Sequence, residues 1–372
     1  MHKFLSFIYS GAEPKEDPDL YKYGPKGFFG DGSLSRDVPA HLNKLITETA
    51  NHALARNTWS TYNTSMNMLS RCNQELGTTL GLPMSETDTT IFVGWLLDKG
   101  LSSATISSYL SGLRQKQISL GLGGDSLRSP LINQVITGRK NQENVGKITG
   151  QASDRIPVTP KVLLLIKKDL KLSTLGKQEK LLIWSACTLM FFGAFRGGEL
   201  LAKKERTFDP VTVLLTEDIQ LKTLMVNQQR VQLLQVKLKC EKTNRSGAAT
   251  IVDVYASQSA TCPVAAWKKL QSLQPSVPKL PAFMTDQNTA FTCNRFNRYL
   301  ADFNKKYFNQ PGKSLSAHCF RAGMATMLAK IGFTDSEIMC SGRWSSKAFQ
   351  EYIKLPRTRR LEMAKTIARL DN

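Results

Sequence analysis

Acidic residues, paired cysteines and long apolar runs are all scarce in this chain, and each shortage excludes something. Of its 372 residues only 30 are Asp or Glu, against 50 Lys or Arg, which leaves a formal charge of +20. An excess of that size calls for a polyanionic partner or a highly charged solvated surface, and bulk composition does not separate the two. The seven cysteines (72, 187, 240, 262, 293, 319 and 340) are odd in number and contain no C-x-x-C pair. That pattern fits reduced thiols in an intracellular protein and excludes a disulfide framework. The longest apolar candidate, Leu189 to Phe195, is far too short to span a bilayer, so no membrane partner is expected. The opening MHKFLSFIYSG is also too short for a secretory signal. There is no G-x-x-x-x-G-K-[ST] loop for nucleotide phosphates, no H-E-x-x-H and no clustered-acid metal site. Internal repeats and low-complexity tracts are absent.

What is present is a globular composition, 41% hydrophobic and 22% charged, which excludes wholesale disorder. The length exceeds what one hydrophobic core usually serves, so two domains are expected. The basic excess is lopsided. Residues 1–38 carry a net charge of −1, residues 39–140 carry +3, and residues 141–372 carry +18. A polyanion contact should therefore centre on the C-terminal half.

Residues 1–38 mix Gly, Pro and charge without a helical or strand period and read as an N-terminal arm. From 39 to 141 the period is helical. Trp59, Tyr62, Met66, Leu69 and Cys72 recur at three- and four-residue steps, and so do Ile106, Tyr109, Leu110 and Leu113. Ser85 and Gly100 look like the two caps of a helix between them, and a last helix is predicted over Ser129–Asn141. Four or five short helices of this kind make a small bundle. Residues 142–156 read as a linker and 157–355 as a second domain, with helices at 159–171 and 177–193. A β-hairpin follows over VQLLQVKLKCEKTNRSGAATIVDVY, turning at Asn244–Gly247, and helices resume after Cys262. The end of the chain, 356–372, is a short basic amphipathic tail. The fold class expected is mainly α with a small antiparallel β-sheet, in two domains.

Three stretches gather unusual residues at ordered positions. In LMFFGAFRGGELL, Arg196 interrupts an apolar helix and Glu199 follows at pairing distance. A desolvated guanidinium is costly unless paired, so this is either a structural ion pair at a helix end or an oriented functional arginine. In SAHCFRAGMATMLAKIG, Ser316 looks like an N-cap, with His318 and Arg321 one turn apart on the same face. A helix start also favours anions. In SGRWSSKAFQEYIKLPRTRR, Trp344 and Tyr352 sit among Arg343, Lys347 and Lys354. They are either core aromatics, or a tyrosine whose basic surroundings lower its pKa from about 10 and make it a nucleophile.

Taken in order, Arg, Lys, His-x-x-Arg, Trp and Tyr, these residues resemble the tyrosine recombinase (phage integrase) superfamily. The wording GRWSSKAFQEYIK looks most like eukaryotic mobile-element recombinases of the crypton and DIRS-like groups. The resemblance covers nearly all of the chain beyond the arm and implies a two-domain DNA clamp, with 39–141 as a helical core-binding domain. It assigns Arg196, Lys242, His318, Arg321, Trp344 and Tyr352 as the catalytic set, with Glu199 supporting. Lys222, Lys237 and Lys239 compete for the lysine role, because the Arg196–Lys242 interval is long and RTFDPVTVLLTEDIQLKT reads as extra material. The Trp344–Tyr352 interval is one residue shorter than in many bacterial members. The implied reaction is cleavage and rejoining of DNA through a 3′-phosphotyrosine, with neither metal nor ATP and no other cofactor. Double-stranded DNA is the expected partner, with Arg114, Lys116, Arg343 and Lys347 among its contacts. A homo-oligomer, a tetramer exchanging C-terminal tails, and a nuclear location are implied with it. Two other readings stay open: a domesticated DNA-binding protein without strand exchange, and a type IB topoisomerase-like nicking-closing enzyme.

Overall fold

The structure is a computed structural model and describes residues 41–42, 45–46, 49, 56–120, 122–145, 155–239, 249–274, 277–310 and 313–352. The expected arm (1–38), Lys242 and the tail (356–372) lie outside the described residues. The chain divides into two compact units, Met1–Ile148 and Thr149–Asn372.

The first unit is helical: α1 (Arg56–Leu76), α2 (Glu86–Asp98), α3 (Ser103–Ser119) and α4 (Pro130–Asn144). Its helices begin where the sequence supplies a cap. Ser85 accepts from the Asp88 N–H while Asp88 accepts from the Ser85 N–H, a reciprocal capping box. Ser129 caps α4, with Pro130 in the first turn, where a missing N–H costs nothing. Gly100 ends α2 at φ +70, a left-handed position that glycine takes without strain. Leu69, Phe92, Leu96, Ile106, Leu113 and Ile132 form the core. The α1 face differs from the periodicity. Ser65 is buried against α3, whereas Tyr62 and Met66 are only partly covered.

The second unit is built around α6 (Lys177–Phe192), which is buried without interruption from Leu182 to Phe191. A helix apolar on all sides belongs at the centre of a unit. Around it pack α5 (Pro160–Leu172), α8 (Pro263–Gln271) and α10 (His318–Ile331). Between them come a single helical turn, α7 (Gly197–Leu200), a three-stranded sheet and α9 (Cys293–Tyr307). After α10 the chain forms α11 (Asp335–Gly342) and a 3-10 helix, Lys347–Tyr352.

The sheet is antiparallel in the order β1 (Ile219–Val226), β2 (Gln229–Leu238), β3 (Thr250–Tyr255). The β2–β3 pair matches the hairpin expected from sequence, with Val236 opposite Val252. The stretch read as extra material is in part structural. Its end, Ile219–Thr223, belongs to β1, and Leu214 and Leu215 just before it are buried. The β1–β2 link is a two-residue turn at Asn227 and Gln228, both at positive φ (49° and 64°), the geometry that matches strand twist.

Candidate functional site

The site of the second unit is organised by the end of α6. Helix C-termini leave carbonyls without intrahelical partners and carry the negative end of the helix dipole, so cations gather there. Here the cations are arginines from distant parts of the chain. Arg343 donates to the Gly193 carbonyl at 2.9 Å, and Arg321 donates to the Ala194 carbonyl. Two residues later, Arg196 precedes α7, and its main-chain N–H donates to Glu199 Oε2 at 2.9 Å. The Arg196 guanidinium pairs with Glu199 Oε1. Glu199 Oε2 also accepts from Arg343 at 2.8 Å, so one buried carboxylate serves two guanidinium groups.

The His-x-x-Arg segment lies beside this turn. A Cβ placed on Gly197 would meet Ala317 at 2.8 Å and Cys293 at 2.9 Å. The residue next to His318 therefore abuts the residue next to Arg196. His318 is the first residue of α10 and is half-buried. Ser316 is not its N-cap; Ala317 holds that position without a side-chain cap. Tertiary contacts replace the local one. The Ala317 N–H donates to Asn297 on α9 at 3.0 Å, and the Ser316 N–H donates to the Cys319 thiol at 3.3 Å.

Arg321 is 1% exposed, and the Trp344 ring lies over its guanidinium, 4.3 Å from Cζ to ring centroid. That is close enough for a cation–π contact. The indole also covers Gly342, where a Cβ would fall 1.5 Å from the ring. It further packs on Phe349 of the 3-10 helix, centroid to centroid 5.7 Å. Phe349 is fully buried with Ala325 and Ile338, fixing this helix to α10 and α11. Tyr352 is its last residue.

Arg196, Glu199, Arg321 and Trp344 are thus brought together, with His318 following the Ala317 that abuts Gly197 and Tyr352 ending the helix that Trp344 and Phe349 anchor. Of the competing lysines, Lys239 is ion-paired to buried Asp218 at 2.7 Å. Lys222 donates to Gln235 on the neighbouring strand, and Lys237 is exposed on β2. The residues expected on DNA fare differently. Lys347 is exposed. Lys116 is only 8% exposed, and burial pushes its ammonium pKa down. Arg114 is half-buried against Gly124. Arg343 turns inward, its side chain 12% exposed.

A basic cleft of about 810 Å³ escaped the sequence reading. Lys203, Lys204 and Arg206 line it from the segment after α7, with Asn294 and Arg298 from α9. Its sequence signal is the run KKER, and Arg295 and Arg298 one turn apart. Arg295 is held by Glu179 at 2.7 Å, while Lys204, Arg206 and Arg298 are exposed. Among the described residues no group of three or more His, Cys, Asp or Glu could hold a metal ion, and no helix is long and apolar enough to cross a membrane.

No protein-family model and no curated protein matches the chain. Solved structures do. The XerH site-specific recombinase bound to a difH substrate, in a pre-cleavage complex, superposes with a TM-score of 0.56 at 13% identity, covering 97% of this chain and 92% of that one. The Tn1549 transposon integrase in complex with transposon right end DNA gives 0.52 at 14%, covering 87% and 98%. A lambda integrase dimer bound to a core site gives 0.50 at 13%, covering 84% and 94%. Identities this low carry no residue roles across, but they agree on architecture. Along most of its length the chain therefore has the fold of the tyrosine recombinases.

Proposed function

We propose that this protein is a site-specific DNA recombinase of the integrase type, a DNA strand transferase that uses Tyr352 as its nucleophile. The observation that carries the reading is the convergence of Arg196, His318, Arg321 and Trp344 around the end of α6, in a chain with the tyrosine recombinase fold. A phosphodiester resists attack because its charge repels nucleophiles and its alkoxide leaves poorly. Preorganised cationic donors offset both effects. Arg196 keeps 24% of its side chain exposed, and Glu199 orients it through one N–H, so its remaining N–H groups are available to donate to the non-bridging phosphate oxygens. Arg321, fixed on the Ala194 carbonyl beneath the Trp344 ring, adds its charge to the same site, and the indole N–H can serve as a further donor.

In the proposed step the Tyr352 oxygen attacks phosphorus, a P–O bond to tyrosine forms and the bond to the 5′-oxygen breaks. His318 receives the phenol proton, and Lys242 protonates the departing 5′-oxygen. The phosphotyrosine conserves the bond, so a 5′-hydroxyl from another strand reverses the step without ATP and without a metal ion. Lys239 and Lys222 are already engaged and Lys237 sits within β2 rather than in the turn that follows it, so Lys242 is the acid proposed. Phosphate contacts would come from Lys347 and from the cleft of Lys203, Lys204, Arg206 and Arg298. The wider proposal follows the GRWSSKAFQEYIK wording: a crypton- or DIRS-like mobile element, action in the nucleus, and a tetramer linked by exchange of the 356–372 tail.

The test uses a nicked duplex library of randomised sequence. Wild type should become covalently attached to DNA in denaturant, and Tyr352→Phe should not. Non-covalent retention by wild type without any adduct would instead support a DNA-binding protein without strand exchange. Adducts formed by a monomer would support a nicking-closing enzyme.

A further inference from the structure

We infer that Arg343 is a positioning residue that ties the two halves of the site together, setting Arg196 through Glu199 and turning the chain so that Trp344 covers Arg321. The inference rests on the phosphoryl-transfer reading above and changes the role of a residue first placed among the DNA contacts. Arg343 has φ 54° and ψ 45°, the left-handed region where glycine sits at no steric cost and a residue with a Cβ does not. An arginine is held there by its far end. Its guanidinium donates to the Gly193 carbonyl at 2.9 Å, to Glu199 Oε2 at 2.8 Å and to the Ala194 carbonyl at 3.5 Å. It also lies over the Phe195 ring, 5.1 Å from Cζ to centroid.

Two consequences meet in that one side chain. By occupying one oxygen of Glu199 it fixes the carboxylate plane, and the other oxygen orients the Arg196 guanidinium. Meanwhile its backbone closes α11: the Arg343 N–H donates to the Cys340 carbonyl and the Trp344 N–H to the Met339 carbonyl. This left-handed closure folds the indole back over Gly342 and onto Arg321. Arg343 and Arg321 also share the Ala194 carbonyl, so both are referenced to the same point at the end of α6. A fork turned onto a buried carboxylate and two carbonyls is not presented to a duplex.

Arg343→Gly suits the backbone and removes only the fork, so the variant should fold. On the same nicked library it should form adduct roughly 100-fold more slowly than wild type, the penalty of a misplaced reacting group. Non-covalent retention should stay within about twofold, since the phosphate contacts proposed at Lys347 and in the basic cleft do not involve Arg343. Added guanidinium ion should recover roughly tenfold of the rate, and Arg343→Lys should not match it, because an ammonium cannot bridge Glu199 and two carbonyls. Adduct formation by Arg343→Gly at the wild-type rate overturns the inference, as does loss of retention in step with loss of adduct. If wild type itself forms no adduct, the phosphoryl-transfer reading fails. The positioning claim is then decided by amide exchange at Arg196, whose N–H donates to Glu199. Arg343→Gly must accelerate it more than exchange at the amides of α6, measured where the unit stays folded, and unchanged exchange overturns the inference.

Discussion

Glu199 is the shared counter-ion of the site, one buried carboxylate paired with both Arg196 and Arg343. Removing the charge leaves two guanidinium groups close together with no counter-ion, and breaking a buried pair from one side costs about 3 kcal/mol. Glu199→Gln should therefore lower the melting temperature by roughly 6–12 °C, the shift expected for a unit of this size. A change under about 2 °C would show that the carboxylate is not the hub described. Half of this arrangement was legible in the sequence. Arg196 and Glu199 sit three residues apart, so a pair was expected from spacing alone. The other half was not, since Arg343 reaches Glu199 across 144 residues and no local pattern encodes that contact. For the same reason Ser316 looked like a cap, until Asn297 of α9 took the neighbouring amide.

At the scale of elements, the helices followed their caps and prolines closely, whereas β1 was missed. Its residues are exposed at most positions, so no alternation of buried and exposed side chains marks it, and its turn lacks the glycine that usually signals a hairpin. The α1–α2 pairing carries a pH dependence. Hydrogen bonds from Lys99 and then Arg71 hold the Glu75 carboxyl down to about 2, with the Trp95 indole also donating. A carboxylate depressed in the folded state contributes stability above its unfolded pKa and loses it as pH falls through its folded pKa. The helical unit should therefore weaken between about pH 4.5 and pH 2. Glu75→Gln should flatten the dependence in that window, as read by the urea midpoint of a 5-fluorotryptophan signal at Trp95 in the full chain. An unchanged profile would remove Glu75 as its source.

For the molecule as a whole, the +20 charge changes from a bulk property into a located one. Most of it lies in the unit that carries the arginine site, and the cleft at Lys203, Lys204, Arg206 and Arg298 gives part of it a shape. Six to ten phosphate contacts predict a log–log salt slope of roughly −5 to −9 for duplex binding. Replacing Lys203 and Lys204 with Glu should make that slope shallower by about two. A slope near zero would contradict phosphate binding as the role of the charge. The fold class was readable from sequence because helical periods and one alternating hairpin dominate it. The order Arg, Lys, His-x-x-Arg, Trp, Tyr suggested phosphoryl transfer through its resemblance to the tyrosine recombinases, since no one of these residues alone is specific to that step.

The most direct measurement is the identity of the residue that becomes joined to DNA. Wild-type protein trapped on nicked duplex should be digested with protease and nuclease, and the remaining nucleotide-bearing peptide sequenced by mass spectrometry. A nucleotide linked through a 3′-phosphate to Tyr352 is the predicted result. Linkage to any other residue, or a covalent adduct that persists in Tyr352→Phe, would contradict the account.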